Sequence, residues 1–532
     1  MIGNRSGSKH HQLLILLFFL CFFPFTVAAA TQSLGINLAG LHDWSTELPF
    51  VDVFKLSRVW VSQQDGKPWG KGPPVQIDAQ GWITSLAPGT WAESCILNIR
   101  EGRYPHGIYT LLYQGEGSIE IANIKGPVVR TPGKIEFSLT GEEGIVWIRI
   151  KATNPANYIR NIRVLMPGYS NIPGTDILLR PGFLTRWQGM KAIRFMEFMA
   201  VNNSSRQHWQ DRVTLDDATW TIKGAPIEIA IEICNRLGAS PWFCIPHQAD
   251  DDYVRRFARL VRKRLNPNLN IYLEYSNETW NPMFKQTGYC RKQGMKRNLA
   301  NNETQAGLRF AALRSVRIFH IWEQVFNGHE RLIRVLAGQA ANPGVSEEKL
   351  RYQSAWKSCD ALAVAPYITL NVSSHSQPPL SEVRQWSLPK LLQETSTKLL
   401  NKSIRWMRQS RAIADKYQVR LIAYEGGQHL LGFQGAENDK QLTNLLLSAN
   451  RAPEMEQIYQ NYLDMWQTIT DNGLFCLWLS MERWSKWGAW GLLEFYDQDE
   501  TTSPKFRAVR LRFAPVPHEP QQPDLVFNQQ TQ

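Results

Sequence analysis

The 532-residue chain is 43% hydrophobic and 20% charged, with 36 Gly and 29 Pro, a mixture that excludes a disordered tail, a collagen or a coiled coil. At roughly 100–200 residues per domain, two or three units are expected, unless one of them is a large α/β barrel. The net charge of +12 comes from dispersed Lys and Arg. The one cluster, Arg255-Arg256, Arg259 and Arg262-Lys263-Arg264, has the spacing of a solvated helix face rather than of a nucleic-acid-binding arm.

The chain opens like a secretory signal. Arg5 and Lys9 give a basic start, Leu13 to Thr26 is apolar, and Ala28-Ala29-Ala30 supplies small residues for cleavage. Pro24 favours a cleaved signal over a membrane anchor. Residues 1–30 are therefore expected to be removed, leaving a secreted or periplasmic protein with no stable membrane insertion and a charge of +12 − 2 = +10. Cys21 would leave with the signal. The remaining cysteines (95, 234, 244, 290, 359 and 476) are scattered singly, which supports neither a zinc motif nor a disulfide scaffold and leaves room for one bridge.

A first strand is expected at Leu34–Leu38. Residues 61–168 then change character. Ile135, Phe137 and Leu139 alternate with polar neighbours, Ile108–Tyr113 and Ile145–Lys151 are strand-like, and Gly115-Glu116-Gly117 and Thr140-Gly141-Glu142 are turn signals. An inserted β-sandwich-like domain is expected there. From about Asp176 onward, short apolar runs alternate with amphipathic segments. The expected strands are Ala192–Phe198, Pro241–Pro246, Asn270–Tyr275, Leu332–Leu336, Ala361–Pro366, Arg420–Tyr424 and Leu474–Leu479. The segments between them, Ile227–Leu237, Tyr253–Leu265, Gln305–Val325, Lys390–Tyr417 and Glu454–Thr470, have helical spacing. Eight βα units suggest a closed (β/α)8 barrel built from residues 31–60 and 169–513. The Pro- and Gln-rich segment 514–532 is expected to be disordered.

Two strand ends carry carboxylates. Ile271-Tyr-Leu-Glu-Tyr-Ser-Asn-Glu-Thr-Trp-Asn281 ends an apolar strand in Asn277-Glu278, with Glu274 four residues earlier, and Leu421-Ile-Ala-Tyr-Glu425 runs into Gly426-Gly427. In a barrel, the C-terminal strand ends face the active site, so Glu278 on strand four and Glu425 on strand seven would face each other. The two glycines would allow an unusual turn and keep space beside the carboxylate. Glycoside hydrolysis needs such a pair: one carboxyl protonates the leaving oxygen, and the other attacks the sugar or activates water.

The segment Glu274-x-x-Asn277-Glu278 with a strand-terminal Glu425 resembles the clan A retaining glycoside hydrolases, over roughly residues 32–60 and 169–512. The resemblance implies a (β/α)8 catalytic barrel, Glu278 as acid/base and Glu425 as nucleophile, with Asn277 on the sugar 2-hydroxyl and no metal or organic cofactor. It further implies that Arg194 supports the charge of the nucleophile, that Tyr367 hydrogen-bonds it, and that His247 and an aromatic on strand eight, Trp478 rather than Trp484, line the pocket. Clan members often have Pro after the Asn-Glu pair; Thr279 stands here, and Trp280 is expected to shape the pocket instead. The sequon Asn277-Glu278-Thr279 is a poor glycosylation site if Asn277 packs in a barrel mouth.

The twenty Trp include several in expected loops after strands: Trp209, Trp220, Trp280, Trp484, Trp487 and Trp490. Flat indoles suit the C–H faces of sugars, and the spacing Trp484-x-x-Trp487-x-x-Trp490 also fits one face of a short helix. The expected partner is a β-linked polysaccharide of the glucan or hemicellulose type. A non-catalytic glycan-binding protein on a hydrolase-like barrel is the competing expectation, and a structural envelope protein a third.

Overall fold

The computed structural model describes residues 32–170 and 179–513, together with Gly3. The rest of the expected signal segment and the 514–532 tail lie outside the described residues. Eight parallel strands close into a barrel in chain order: Leu34–Asn37, Ala192–Arg194, Ser240–Ile245, Ile271–Tyr275, Leu332–Ala337, Ala361–Val364, Arg420–Ala423 and Phe475–Leu477. Closure comes from the first strand, which pairs with the second (Ile36 with Ile193) and with the eighth (Ile36 with Leu477). This is a (β/α)8 barrel, with strands one to four residues shorter than the apolar runs in several places because the chain turns into loops where the active-site face begins.

The strands are buried on both faces, as parallel strands under a helical layer must be, and backbone crowding selects their small residues. A Cβ on Gly35 would stand 2.6 Å from the Cys476 sulfur and 2.8 Å from the Ala192 carbonyl. The helices follow their sequence pattern: in Asp251–Arg264, Tyr253, Val254, Phe257, Ala258 and Val261 are buried, and Asp250 caps the first turn by accepting from the Tyr253 N–H at 2.7 Å. The arginine cluster lies on the outward side of this helix, where Arg256 pairs with Asp252. The expected long helix over 390–417 is interrupted: Leu388–Glu394 and Leu400–Lys416 flank a π-turn at Thr395–Leu399. There the Thr395 and Thr397 hydroxyls bond back to the Leu391 and Gln393 carbonyls, a competition with the helical ladder that bends helices.

Between barrel strands one and two, two four-stranded antiparallel sheets form. Their orders are Val61–Gln64, Thr90–Asn98, Ile145–Thr153, Gly117–Ala122 and Arg160–Leu165, Gly107–Gln114, Lys134–Leu139, Val128–Thr131. Alternation explains their faces: Ile135, Phe137 and Leu139 are buried and their neighbours are not. Asp52 ties the sheets to the barrel by accepting from the N–H groups of Val164 (2.8 Å) and Phe54 (3.1 Å). All six cysteines in the described residues are buried free thiols; no bridge forms among them. No helix in the described residues is long and apolar enough to cross a membrane.

Candidate active site

The fourth strand ends at Tyr275, and the chain then turns sharply, with Ser276 and Glu278 at φ of 59° and 41°. Such backbone is strained for residues with a Cβ and is held only by its surroundings. Here the Tyr275 hydroxyl donates to the His247 carbonyl at 2.9 Å, and the Gln286 amide donates to the Asn277 carbonyl at 2.9 Å. The turn presents half-buried Glu278 to a cleft of about 1550 Å³ at the C-terminal mouth of the barrel. The seventh strand delivers Glu425 to the same cleft. Of the two glycines after it, Gly427 takes φ of 143°, as a turn would require. Gly426 instead meets close packing: a Cβ there would lie 2.4 Å from the Phe475 ring and 2.7 Å from the Tyr462 hydroxyl. The expected open space beside the carboxylate is thus filled by aromatic side chains.

Arg194, fully buried at the end of strand two, organises the floor. Its Nε and Nη2 reach Glu274 Oε2 at 3.3 and 3.0 Å, and Nη2 also reaches Asn277 Oδ1 at 2.9 Å. Its Nη1 reaches Asn37 Oδ1 at 3.1 Å and Glu425 Oε2 at 3.3 Å. Asn37 is itself fixed by donating to the carbonyls of Tyr424 (2.9 Å) and Leu477 (3.1 Å), so strands one, seven and eight set the position of the guanidinium. Glu274 accepts further bonds from Trp242 Nε1 at 2.9 Å and Cys244 Sγ at 3.3 Å. It takes two of the five Arg194 bonds, and Glu425 takes one.

Burial, and then the charge of Glu278, push Glu425 up to about 8, against the pull of Arg194. Two carboxylates that interact this strongly titrate as a pair, so the high value belongs to the last proton the pair gives up. On the other side, Glu278 Oε1 accepts from the Tyr424 hydroxyl at 2.7 Å and Oε2 from Asn281 Nδ2 at 2.8 Å. A tyrosine hydroxyl can donate to a carboxylate or accept from a carboxylic acid, so this contact survives either protonation state of Glu278.

The other residues singled out in the sequence divide into two groups. Trp280, Tyr367 and Trp478 line the cleft with the two glutamates. Trp280 lies edge-on to Tyr424 at 6.4 Å, with the Lys349 ammonium 5.1 Å from its ring centroid. Tyr367 forms no hydrogen bond to Glu425; its ring stands edge-on to His429 at 5.4 Å, and the tyrosine that bonds a carboxylate is Tyr424, on Glu278. Asn277 and His247 are not among the lining residues. Asn277 is buried, accepting from Arg194 and donating to Asn202 Oδ1 at 3.1 Å. His247 is buried behind the wall, edge-on to Tyr289 at 5.2 Å, and burial drives its imidazole down to about 4.

The tryptophans also divide. Trp220 packs in the core against Phe50, and Trp209 packs edge-on against Tyr253. No helix forms at 484–490: Ser485 and Gly488 pair in a tight turn, which buries Trp484 (5% exposed) and turns Trp487 out (63% exposed). Trp487 and Trp490 line the cleft, joined by Trp44 and Trp406. The inserted sheets reach it too, through Asn98, Ile99, Arg100 and Glu101.

Several groups in the cleft escaped the sequence reading. Tyr424 directly precedes Glu425, and nothing local distinguishes it from a core aromatic. Glu197, just past strand two, and Glu482, just past strand eight, line the cleft as neighbours. Burial raises both, Glu482 to about 7, with Glu197 adding to the effect on Glu482. Position beyond a strand end was the available signal for these two. His429 entered the cleft through a ribbon that the barrel pattern does not contain. Among the described residues, no group of three or more His, Cys, Asp or Glu side chains could hold a metal ion.

No protein-family model matches the chain, and no curated protein matches it. Among solved structures it is similar to a 4-O-α-L-rhamnosyl-β-D-glucuronidase from Fusarium oxysporum 12S, at 12% identity and a TM-score of 0.36, over 62% of this chain and 62% of that one. It is also similar to a GH5-4 broad-specificity endoglucanase from Clostridium longisporum, at 11% identity and a TM-score of 0.33, over 62% of this chain and 97% of that one. A third is the catalytic domain of a GH26 endo-β-1,4-mannanase from Bacillus sp. JAMB-750, at 10% identity and a TM-score of 0.20, over 56% of this chain and 81% of that one. The chain thus spans less than two thirds of the length of the first of these.

Proposed function

We propose that the protein is an exported retaining glycoside hydrolase that cleaves β-linked polysaccharide of the glucan or hemicellulose type within the chain, by double displacement. The observation that carries this is the pair Glu278 and Glu425, delivered by strands four and seven to one cleft and close enough for the charge of one to raise the other. In the first step Glu278 protonates the leaving oxygen while ionised Glu425 attacks the anomeric carbon. In the second, Glu278 takes a proton from water, which displaces Glu425 from the glycosyl-enzyme. A pair holding one proton at neutral pH has the protonation state that the first step starts from. Arg194 at 3.3 Å from Glu425 favours placing the negative charge there. Trp280, Trp478, Trp487 and Trp490 offer rings to the sugar chain.

The test is turnover on a panel of β-glucan, xylan and glucomannan, with the product anomer followed by NMR as it forms. Retained configuration is expected, and an initially inverted product would remove Glu425 from the nucleophile role. Glu425→Gln should lose turnover and still bind the polysaccharide, whereas unchanged turnover would refute the assignment. Glu278→Ala should lose far less on aryl glycosides with good leaving groups than on polysaccharide; equal losses count against an acid role. Binding without turnover in the wild-type protein would favour the non-catalytic glycan-binding alternative.

A further inference from the structure

Beyond the ends of barrel strands six and seven the chain adds a feature the barrel does not need. Ile368–Val372 and Gln428–Gly432 pair in parallel as a separate two-stranded ribbon, with Thr369 opposite His429 and Asn371 opposite Leu431. Side chains alternate along a strand. Ile368, Leu370, Val372 and Leu430 are buried beneath the ribbon, and the other row, Tyr367, Thr369, Asn371, His429, Leu431 and Phe433, lines the cleft.

His429 is the unusual member of that row. Tyr367 and Trp490 hold its ring edge-on, at centroid distances of 5.4 and 4.8 Å and interplanar angles of 70° and 63°. Nδ1 is buried, and no other described residue gives it a hydrogen-bond partner. Burial drives the imidazole down to about 4, against a bond to its own backbone that raises it, so at neutral pH the ring is uncharged and no other described residue takes up its donor or its acceptor. Buried polar atoms are almost always paired. A ring clamped between two aromatics and left unpaired at a cleft wall fits a group whose partner arrives with the ligand. A hydroxyl is the matching chemistry, since it donates and accepts and so serves either tautomer of a neutral ring.

We propose that His429 is a specificity-determining residue that hydrogen-bonds a hydroxyl of the sugar chain lying against this ribbon, on a sugar it positions and not on the reacting atoms. The proposal rests on the glycosidase assignment above. It is tested by affinity electrophoresis of the full chain through gels containing mixed-linkage β-glucan, xylan or glucomannan, in the Glu425→Gln background to prevent digestion. On whichever polysaccharide retards that parent, His429→Leu should weaken binding about tenfold or more, and His429→Gln, which keeps a donor and an acceptor, should recover most of it. The thermal midpoint of the Leu variant should equal or exceed that of the parent, because an unpaired polar ring has been removed. A Leu variant that binds like the parent overturns the proposal. So does one that melts lower and is not rescued by Gln, since that marks a packing role. Failure of all three gels to retard the parent would remove the glycan assignment and this proposal together, whereas retardation of the parent without any effect of His429→Leu removes only the proposal.

Discussion

Arg194→Met removes the cation that Glu274 and Glu425 share and puts an apolar chain of similar reach in its place. The guanidinium makes five contacts within 3.3 Å on four side chains, with no exposure to solvent. Deleting one partner of a buried ion pair leaves an uncompensated charge and costs about 3–5 kcal/mol. Glu425 adds a pH signature. Its value lies at about 8 against an ordinary 4.5, and Arg194 holds it down, so without the guanidinium it must lie higher. Below pH 8 the Glu278–Glu425 pair keeps its last proton in both folded proteins, and that proton contributes no difference. Above pH 8 the wild-type pair has lost it, while the folded variant still holds a proton that its unfolded chain has released. The stability gap should therefore widen above pH 8 by up to about 1.4 kcal/mol per pH unit. Urea unfolding followed by tryptophan fluorescence at pH 7, 8 and 9, on wild type and variant, measures it. A penalty below about 1 kcal/mol, or one that shrinks between pH 8 and 9, would refute the role of Arg194 as the shared counter-ion.

Other consequences follow from the same network. The value of kcat/KM on the best polysaccharide should fall as pH rises through about 8, where the pair loses its last proton; a plateau from pH 6 to 10 would rule this out. Tyr424→Phe removes the hydroxyl that holds the Glu278 carboxyl at 2.7 Å, so it should lower kcat on polysaccharide, and an unchanged kcat would show that the contact does not position Glu278. Glu47 is buried against the Ser480 hydroxyl and the Trp187 N–H, and burial raises it from 4.5 to about 7. The folded state then holds a proton that the unfolded chain releases, and stability declines as pH rises from about 4.5 to 7. Glu47→Gln should reduce the loss of stability between pH 5 and 8 by about 2.5 kcal/mol, read from urea unfolding at both values; identical pH dependence would contradict the raised value.

Much of the fold was legible in local pattern. A buried strand, a half-buried strand and an amphipathic helix differ in period, so the alternating units after Ala192, the inserted sheets and the helix Glu454–Thr470 could be read before any contact was known. The placement of Glu278 and Glu425 at strand ends was legible for the same reason, because the strand end is a local event. The contacts of the site were not. Arg194 reads as a residue at a strand end, yet its division between Glu274 and Glu425 depends on side chains 80 and 231 residues away. Tyr424 rather than Tyr367 bonds a carboxylate because of a turn at Ser276–Glu278 that has no sequence signal. The spacing of Trp484, Trp487 and Trp490 is uninformative because a tight turn, not a helix, distributes them between core and cleft. Order along the chain determines which segments become strands and where they stop; which polar groups then meet, and which are left without a partner, is decided only when the barrel closes, because burial and hydrogen bonding are properties of neighbours in space.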